Sequence, residues 1–490
     1  MEGTNISRHS YTPAQRTRKL LLVLASLLSG ACATAGTVAR PPVTTVPGAW
    51  SRSLEGTRTS VEDLARWWER LGDPVLSSVI EQALKANPDL RLATARLRQA
   101  RAQRNLAQAN LLPSVSASGS VSGIKRSETD ATADLSASID ASWEPDVFGG
   151  LRSAVRAARA DLAATEEELH NTQVSLAAEV AINYVDLRDY QARLAIARAN
   201  LETQRETLQL TEWRAQAGLV SSVDVEQART SVATTSAQIP SFQTNIVQAE
   251  HRLAVLAGLA PTALGRQLDT SASIPAVPDQ IAVAIPAEIL RQRPDVRAAE
   301  QRILAETARL AQAKTARYPS FGLRGSLGTD VVTGALTGGT SFVASLVGSV
   351  AQTIFDAGRI RQQIEIQGAA QEQAVISYES TVLTALEEVE NALVALEQDR
   401  QRQVALATAV EASRNAALLS RQQYAAGLAD FQTVLDTQRS VLTAEEALSA
   451  TQANRTTDLI QLYKALGGGW SPTSGRPGSQ PAVNGTGGRS

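Results

Sequence analysis

The sequence predicts a mainly α-helical fold made of two tandem repeats, with two long β-strands in each repeat. Three observations support this prediction. Residues 87–120 align without a gap with residues 293–326. Each aligned segment is followed by a long proline-free stretch with a seven-residue apolar period. Serine occupies every second position from Ser114 to Ser122, and a period of two is typical of a strand.

The repeat extends beyond the first aligned segment. Three shorter matches follow in the same order, pairing 146–152 with 353–359, 217–225 with 426–434, and 256–259 with 466–469. The spacing between matched residues drifts only from 206 to 210 residues. Two copies of roughly 200 residues are too long for a solenoid repeat. They indicate a duplicated unit, and we place the first repeat at 61–270 and the second at 271–470.

Each repeat is predicted to contain the same elements in the same order. A helix ends before a proline, over 88–111 in the first repeat and 294–317 in the second. Two strands follow, at 114–124 and 134–146 and then at 320–330 and 341–354. Next comes a very long helix (152–216 or 359–425) that ends at a glycine, and then a helix of about 35 residues that ends at Gly258 or Gly467.

A heptad pattern runs along both long helices. It places apolar residues at Val180, Leu187, Leu194, Leu201 and Leu208, then at Val389, Leu396 and Val410, with Gln403 as a break. A seven-residue period predicts supercoiled helices packed along narrow seams. A dimeric coiled-coil stalk is the alternative interpretation, but it does not account for the strand pairs.

The alternating strands are the part of the chain suited to a membrane. Ten or eleven residues tilted near 45° cover about 25 Å. Four strands cannot close, and an open sheet edge is not tolerated in lipid. Three chains would supply a homotrimeric 12-stranded β-barrel. Ser116, Ser118 and Ser120 are then predicted to face a water-filled lumen, and Val115 and Val121 to face lipid. The other interpretation is an edge strand of a soluble sheet.

The N-terminus predicts export. The stretch "RTRKLLLVLASLLSGAC" has the basic, apolar and small-residue order of a signal peptide over 1–31. Cys32, the only cysteine, resembles the lipidated residue of a bacterial lipoprotein box, although Ser29 stands where that box usually has leucine. A plain signal peptide is the alternative. We expect a lipidated linker over 32–60 and, from its Gly, Ser and Pro content, a disordered tail over 471–490.

Composition excludes several functions. The net charge of −2 gives no basic patch for nucleic acid. One cysteine and three separated histidines, His9, His170 and His251, form no metal-site pattern. We find no nucleophile, phosphate loop or cofactor motif. The sequence therefore predicts neither an enzyme nor a cofactor or metal site.

Eight motifs resemble the outer-membrane factor family, the TolC-like exit ducts of Gram-negative efflux pumps and type I secretion. They include "LLPSVSASGS", "WEPDVFGGLR", "AGLVSSVDVEQAR", "IPAEILRQRPDVRAAEQ" and "YAAGLADFQTVLDTQR", and the eight span nearly all of 61–470. The chain is most similar to the lipid-anchored NodT-type members. The resemblance implies a trimeric outer-membrane barrel continuous with a long periplasmic α-helical coiled-coil barrel. It also implies a periplasmic adaptor and an inner-membrane RND-type transporter as partners.

The resemblance further implies a periplasmic gate just after the glycine between the long and short helices. Asp436 and Arg439 match a constricting acidic residue and its basic partner, and Gln432 matches another constriction position. Asp224 in the first repeat matches an acidic residue that links the helix tips. Ala429 replaces the basic residue of that link.

Passive efflux of small molecules is the expected function. A type I protein-secretion duct and a non-conducting trimeric envelope scaffold are the alternatives. The sequence does not specify the cargo, which the partner pump selects.

Overall fold

The computed structural model describes residues 47–51, 64–124, 132–269, 272–278, 286–333 and 339–470. The predicted signal peptide, Cys32, most of the predicted linker and the predicted tail lie outside these residues. The described part is mainly helical and contains one four-stranded antiparallel sheet. Among these residues, no helix combines the length and the apolar character needed to cross a membrane.

The two repeats contain closely similar elements. Those of the first are a 3-10 helix (Trp67–Leu71), α1 (Pro74–Ala86), α2 (Pro88–Ala109), β1 (Ser114–Ile124), β2 (Thr132–Trp143), α3 (Gly150–Gln216), α4 (Ser222–Leu256) and the short α5 (Gly265–Leu268). Those of the second are α6 (Pro286–Gln292), α7 (Pro294–Thr315), β3 (Ser320–Thr333), β4 (Gly339–Ala351), α8 (Arg359–Ala425) and α9 (Phe431–Ala465).

The glycines predicted to end the long helices do so. Gly218 and Gly427 have φ angles of 71° and 76°, in the left-handed region that glycine enters without a steric penalty. After Gly218, the Leu219 N–H donates to the Arg214 carbonyl at 2.8 Å. This bond closes a Schellman motif, which satisfies carbonyls at the helix end. The chain is then free to turn into the next helix.

Two strand boundaries differ from the prediction. The strand expected at 134–146 spans 132–143, and the strand expected at 341–354 spans 339–351. In both cases a carboxylate beyond the strand serves the following helix instead. Asp146 accepts hydrogen bonds from the first amides of α3, and Asp356 accepts from the Ile360 amide of α8 at 2.7 Å. Pro145, which has no N–H to donate, also stops the first of these strands.

The remaining boundaries move by a few residues. The helices expected to reach 111 and 317 end at Ala109 and Thr315, and the long helix expected to begin at 152 begins at Gly150. The strand expected at 320–330 continues to Thr333. These extra residues lengthen the second hairpin relative to the first.

The longer hairpin changes how the two repeats correspond. Trp143 Nε1 donates to the Leu111 carbonyl at 3.0 Å, and Gln352 Nε2 donates to the Arg317 carbonyl at 3.2 Å. Residue n of β1 therefore corresponds to n + 206 in β3, but residue n of β2 or α3 corresponds to n + 209. The sequence match of 146–152 with 353–359 is wrong by two positions, because it followed similar side chains rather than strand register.

Corresponding side chains of the two repeats hydrogen-bond to the C-terminal ends of α4 and α9. Asn87 Nδ2 donates to the Leu256 carbonyl at 2.9 Å. Its counterpart, Arg293, donates from Nη1 to the Ala465 carbonyl at 2.9 Å and also pairs with Asp295. Each hydrogen bond satisfies a carbonyl at a helix C-terminus that has no partner within the helix. The second repeat performs this role with a charge, and the first with an amide.

The main core joins the helices of both repeats. Trp67 is fully buried and stacks on Tyr463 with ring centroids 5.5 Å apart. The predicted seam residues Val180, Leu187, Val389 and Leu396 lie in this same cluster. The seams are therefore buried within one chain, so they do not require the dimeric stalk considered above. Gln403, the break in the heptad, accepts a hydrogen bond from Arg455 Nη1 at 2.9 Å.

The two compact units of the structure do not coincide with the two sequence repeats. One compact unit comprises 99–163 and 300–377 and contains the sheet. The other comprises the remaining described residues and contains the main core. Each unit takes parts of both repeats, as expected when duplicated elements pack side by side.

Candidate functional site

The first candidate surface is the serine-lined face of the sheet. Ser118 and Ser138 hydroxyls lie 2.9 Å apart across the β1–β2 pair, and those of Ser120 and Ser136 lie 2.7 Å apart. Ser138 also donates to the Asp140 carboxylate at 2.7 Å. The alternation in the sequence therefore produces a ladder of cross-strand hydroxyl pairs along one face.

Register carries the polar face across the whole sheet. Ser116 lies opposite Asp140, which lies opposite Ser326, and Ser326 lies opposite Ser345. The three serines predicted to line a lumen thus share one face, although that assignment to a lumen stays a prediction. In β4 the face is less polar, since it includes Val343 and Val347.

The opposite face of the sheet is apolar and exposed. Side chains in adjacent strands continue it, with Ala117 opposite Ile139, Ile139 opposite Leu327 and Leu327 opposite Ala344. Val121, predicted to face lipid, is 78% exposed in the single chain. A sheet with one polar and one apolar face suits a boundary between water and lipid.

The second candidate site is at the start of α9, just past Gly427. Gln432 Nε2 donates to the Asp436 carboxylate at 3.0 Å. Arg439 Nη1 lies 3.9 Å from the same carboxylate, one turn further on, and both charged side chains are more than half exposed. Three of the four predicted gate residues therefore form one cluster on an exposed helix face.

The fourth predicted residue, Asp224, lies on α4 and has a local role. Its carboxylate accepts from the Ser221 amide at 3.0 Å, and Ser221 in turn caps the start of the helix. This reciprocal arrangement is a capping box, which satisfies amides that have no partner within the helix. Asp224 therefore caps its own helix, whereas Gln432, Asp436 and Arg439 form their cluster on α9.

A cleft of about 500 Å³ lies between the two helix starts. Val223 and Thr230 line it from α4, and their counterparts Gln432 and Arg439 line it from α9. Equivalent positions of the two repeats therefore face each other across it.

An aromatic cluster that was not predicted supports the second helix start. Phe431 is 4% exposed and packs against Tyr424, with ring centroids 5.8 Å apart. The Arg214 guanidinium lies 4.5 Å from the Tyr424 ring centroid and also donates to the Tyr424 carbonyl. The signal in the sequence was a single aromatic residue directly after Asp430, where the first repeat has Ser222.

Two acidic groups of α9 have pKa values that are shifted in opposite directions. Two hydrogen bonds from Thr433 to Asp430, which caps the helix, lower the pKa of that carboxyl. Further along, burial and the neighbouring Asp399 raise the pKa of Asp458 to about 6. Among the described residues, no group of three or more His, Cys, Asp and Glu side chains is placed to hold a metal ion.

Comparison with known proteins gives a consistent result. The sequence profile of the family described as "Outer membrane efflux protein" matches residues 79–259 and 285–468. Nodulation protein T of Rhizobium leguminosarum bv. trifolii is 33% identical over 465 residues, which are 92% of this chain and 97% of that protein. The pyoverdine export outer membrane protein OpmQ of Pseudomonas putida is 33% identical over 93% of this chain and 98% of its own length.

Solved structures are similar over the same range. The outer-membrane channel OprN superposes with a TM-score of 0.81 at 35% identity, covering 89% of this chain and 99% of that one. The MtrE outer membrane channel of Neisseria gonorrhoeae, solved in an open state, has a TM-score of 0.78 at 27% identity and covers 88% of this chain.

Proposed function

Because the chain belongs to the outer membrane efflux protein family, we propose that three copies form a passive exit duct in the outer membrane of a Gram-negative bacterium. The observation that carries this proposal is the four-stranded sheet, which has a polar face, an apolar face and two edges. Unpaired backbone groups cost several kcal/mol each in hydrocarbon. Three sheets joined edge to edge supply twelve strands and remove every edge.

The duct would work with two other proteins. A periplasmic adaptor and an inner-membrane RND-type transporter would deliver cargo to the helical end, as the resemblance implied. Relatives are named for export of pyoverdine and for efflux of toluene and antibiotics. These names favour small-molecule efflux over protein secretion, and the cargo itself would be selected by the pump.

The helix starts would form the resting gate. Around a threefold axis, three copies of the Asp436 carboxylate would repel one another, because like charges at short range raise the energy of the closed state. Arg439 lies on the same helix face and would offset this repulsion by pairing with Asp436 of its own or a neighbouring chain. Gln432 would narrow the same opening with an uncharged side chain, and Asp224 would stabilise the adjoining tip through its capping box.

Lipid at Cys32 would add a second attachment to the membrane. A single acylated terminus gives modest anchoring, whereas a barrel is embedded around its circumference. Cys32→Ser should lose radiolabelled palmitate, and assembled protein should nevertheless stay in the membrane fraction.

Single-channel recording in planar bilayers tests the duct directly. A conducting trimer should give discrete current steps, and a non-conducting scaffold should give none. In a Cys32→Ser background, Ser118→Cys should react with a small charged thiol reagent and lower the current. The matched variant Val121→Cys, three residues away on the apolar face, should not. Equal labelling of both cysteines would contradict the barrel wall.

A further inference from the structure

Three arginines share one face at the start of α3. Arg152, Arg156 and Arg159 follow one another at intervals of four and three residues. Residues at these intervals are neighbours on the surface of a helix. All three residues are exposed. They form a short row of positive charge beside the sheet, which we call the arginine stripe.

The acidic residues near the arginine stripe leave most of its charge uncompensated. The Asp146 carboxylate pairs with Arg152 Nε at 3.0 Å. Asp161 comes five residues after Arg156, which places it on a different side of the helix, and it pairs with an arginine of α7 at 2.6 Å. Within the part of the chain that the structure describes, neither Arg156 nor Arg159 has an acidic partner. The stripe therefore retains two unpaired positive charges.

An aromatic cluster connects the start of α3 to the apolar face of the sheet. Phe321 lies on that face, because it is six residues from Leu327 in β3. Phe148, two residues before α3, lies 6.2 Å from Phe321 and stacks on Tyr318 with ring centroids 4.8 Å apart. Aromatic side chains of membrane proteins concentrate where hydrocarbon meets the headgroups. In the proposed barrel, α3 therefore begins at the level of the headgroups.

A second contact indicates which side of α3 faces outward. His170 lies 11 residues after Arg159, about three turns, and therefore shares its face. The His170 ring stacks on Trp470, which is 8% exposed, with ring centroids 4.3 Å apart. The C-terminal segment thus packs on this side of the helix. In a duct the covered side must be the outer one, because the lumen has to stay open.

The spacing along α3 places the arginine stripe within reach of the headgroups. Arg152, Arg156 and Arg159 lie about 3, 9 and 14 Å along the helix from Gly150. A headgroup layer is about 5–8 Å thick on each side of a bilayer. Side chains tilt toward the N-terminus of their helix, which in α3 is the end at the sheet. The long stem of Arg159 therefore extends toward the membrane and brings its charge closer to it.

We infer that the arginine stripe binds the phosphate of an anionic phospholipid, such as phosphatidylglycerol, in the periplasm-facing leaflet of the membrane. This inference rests on the proposed duct and adds a lipid-binding site to it. A guanidinium group fits phosphate through two parallel hydrogen bonds. Asp146 already accepts from the first amides of α3, so side chains rather than the helix N-terminus would hold the phosphate.

Only the first repeat carries the arginine stripe. With the correspondence of n to n + 209, the matching residues of α8 are Arg361, Glu365 and Gly368. One positive charge is kept there, one is replaced by a negative charge, and one is lost. A trimer would therefore have three such lipid sites, one for each chain.

Lipid titration followed by native mass spectrometry tests the site. The full-length trimer in mild detergent is mixed with phosphatidylglycerol, or with zwitterionic phosphatidylcholine that has the same acyl chains. The parent should bind phosphatidylglycerol more tightly. Each arginine near an anionic lipid surface contributes about a factor of five. Arg156→Gln with Arg159→Gln should therefore weaken phosphatidylglycerol binding roughly 10- to 30-fold and leave phosphatidylcholine binding unchanged.

Two control variants separate the position of the charge from charge in general. Arg198→Gln with Arg205→Gln removes two exposed arginines of the same helix, roughly 60 Å further along it. This variant should bind phosphatidylglycerol as the parent does. Arg156→Lys with Arg159→Lys keeps the charge but loses the paired hydrogen bonds, so it should weaken binding less than the glutamine variant.

The outcomes separate the lipid site from the proposed function. Equal affinity of the parent for both lipids, or unchanged phosphatidylglycerol affinity in the glutamine variant, would overturn the inference. Displacement of the lipid by millimolar inorganic phosphate would also overturn it, since the site would then recognise a free anion. A trimer that conducts but has no preference for phosphatidylglycerol keeps the duct and loses only the lipid site. A chain that neither assembles nor conducts overturns both.

The stability of the trimer gives an independent readout. A ligand that binds only the assembled protein stabilises it by mass action. Phosphatidylglycerol in the detergent micelles should raise the temperature at which the parent trimer dissociates on gels. Arg156→Gln with Arg159→Gln should lose most of that rise. An equal rise in both proteins would place the effect of the lipid elsewhere on the surface and contradict the site.

Discussion

The N-terminal ends of α4 and α9 have the same backbone arrangement but carry different side chains. Both follow a left-handed glycine, and both are capped by a side chain at corresponding positions, Ser221 in α4 and Asp430 in α9. The partners are exchanged, because Asp224 completes the first cap and Thr433 completes the second. Duplication thus kept the cap while its residues diverged.

Charge and packing diverged further. Asp436 and Arg439 correspond to Gln227 and Thr230 in the first repeat, which carry no charge. Buried Phe431 corresponds to exposed Ser222. The second helix start is therefore both the more firmly packed and the one with an electrostatic cluster. The two copies therefore share a backbone scaffold, and only the second copy carries the charged cluster and the buried aromatic residue.

The packing difference predicts the largest effect. Phe431→Ala removes a buried ring from the cluster with Tyr424, and such truncations cost about 3–5 kcal/mol. Hydrogen exchange in the first turns of α9 should accelerate strongly. The control is Ser222→Ala at the corresponding exposed position of α4, which should change exchange in α4 little. Similar acceleration in both variants would show that the two helix starts are packed alike.

A half-buried carboxyl, Asp458, extends the comparison further along the same two helices. Asp458 corresponds to Ala249, which lies in the main core. Since folding raises the pKa of Asp458 from 3.8 to about 6, the folded state holds this proton more tightly than the unfolded state. The contribution of Asp458 to the free energy of unfolding should therefore be greatest below about pH 4 and should be lost as the pH rises through about 6.

Asp458→Asn should remove that dependence. After allowance for partial solvent screening, we expect the variant to gain about 1–2 kcal/mol over the parent at pH 8 and nothing at pH 4. Thermal unfolding in detergent across this range measures it. Glu226→Gln, at an exposed site on α4, should show no such trend. A constant difference between Asp458→Asn and its parent at every pH would refute the assignment.

The charge difference at the helix starts predicts an intermediate effect on gating. Asp436→Ala with Arg439→Ala removes the charged pair of the proposed gate, and the resting conductance should therefore rise. An exposed ion pair contributes up to about 1 kcal/mol, so the open fraction should increase by up to about fivefold.

The first repeat offers a matched control for this double variant. Glu226 and Arg229 form an exposed pair at 2.7 Å with the same three-residue spacing. Glu226→Ala with Arg229→Ala should leave the resting conductance unchanged. A rise in that variant, or none in the Asp436 and Arg439 variant, would contradict the placement of the gate in the second repeat.

The caps predict the smallest effect. Because the pKa of Asp430 is lowered in the folded state, the stability that this carboxylate contributes is present above its unfolded pKa and is lost as the pH falls through the folded value. Protection of the Thr433 amide against hydrogen exchange should therefore decline in acid. It should not decline in Asp430→Asn, which cannot titrate. A decline of equal size in both proteins would show that another group is responsible.

The sequence alone determined the elements and their order. Period-two serine marked β1, proline marked the entry into both hairpins, and Gly218 and Gly427 marked the ends of the long helices. Each of these signals acts through local backbone geometry, which the residue itself fixes. The duplication was also visible, because the first helix and strand of each repeat align without a gap.

Only the tertiary structure decided the register and the partners. Similar side chains paired 146–152 with 353–359, whereas hydrogen bonding across the longer second hairpin shifts this correspondence by two residues. Likewise, the resemblance placed both Asp224 and Asp436 at the gate, but Asp224 caps its own helix while Asp436 lies on an exposed face. Register and contact depend on which segments meet in space, and that depends on hairpin length and packing between residues far apart in the chain.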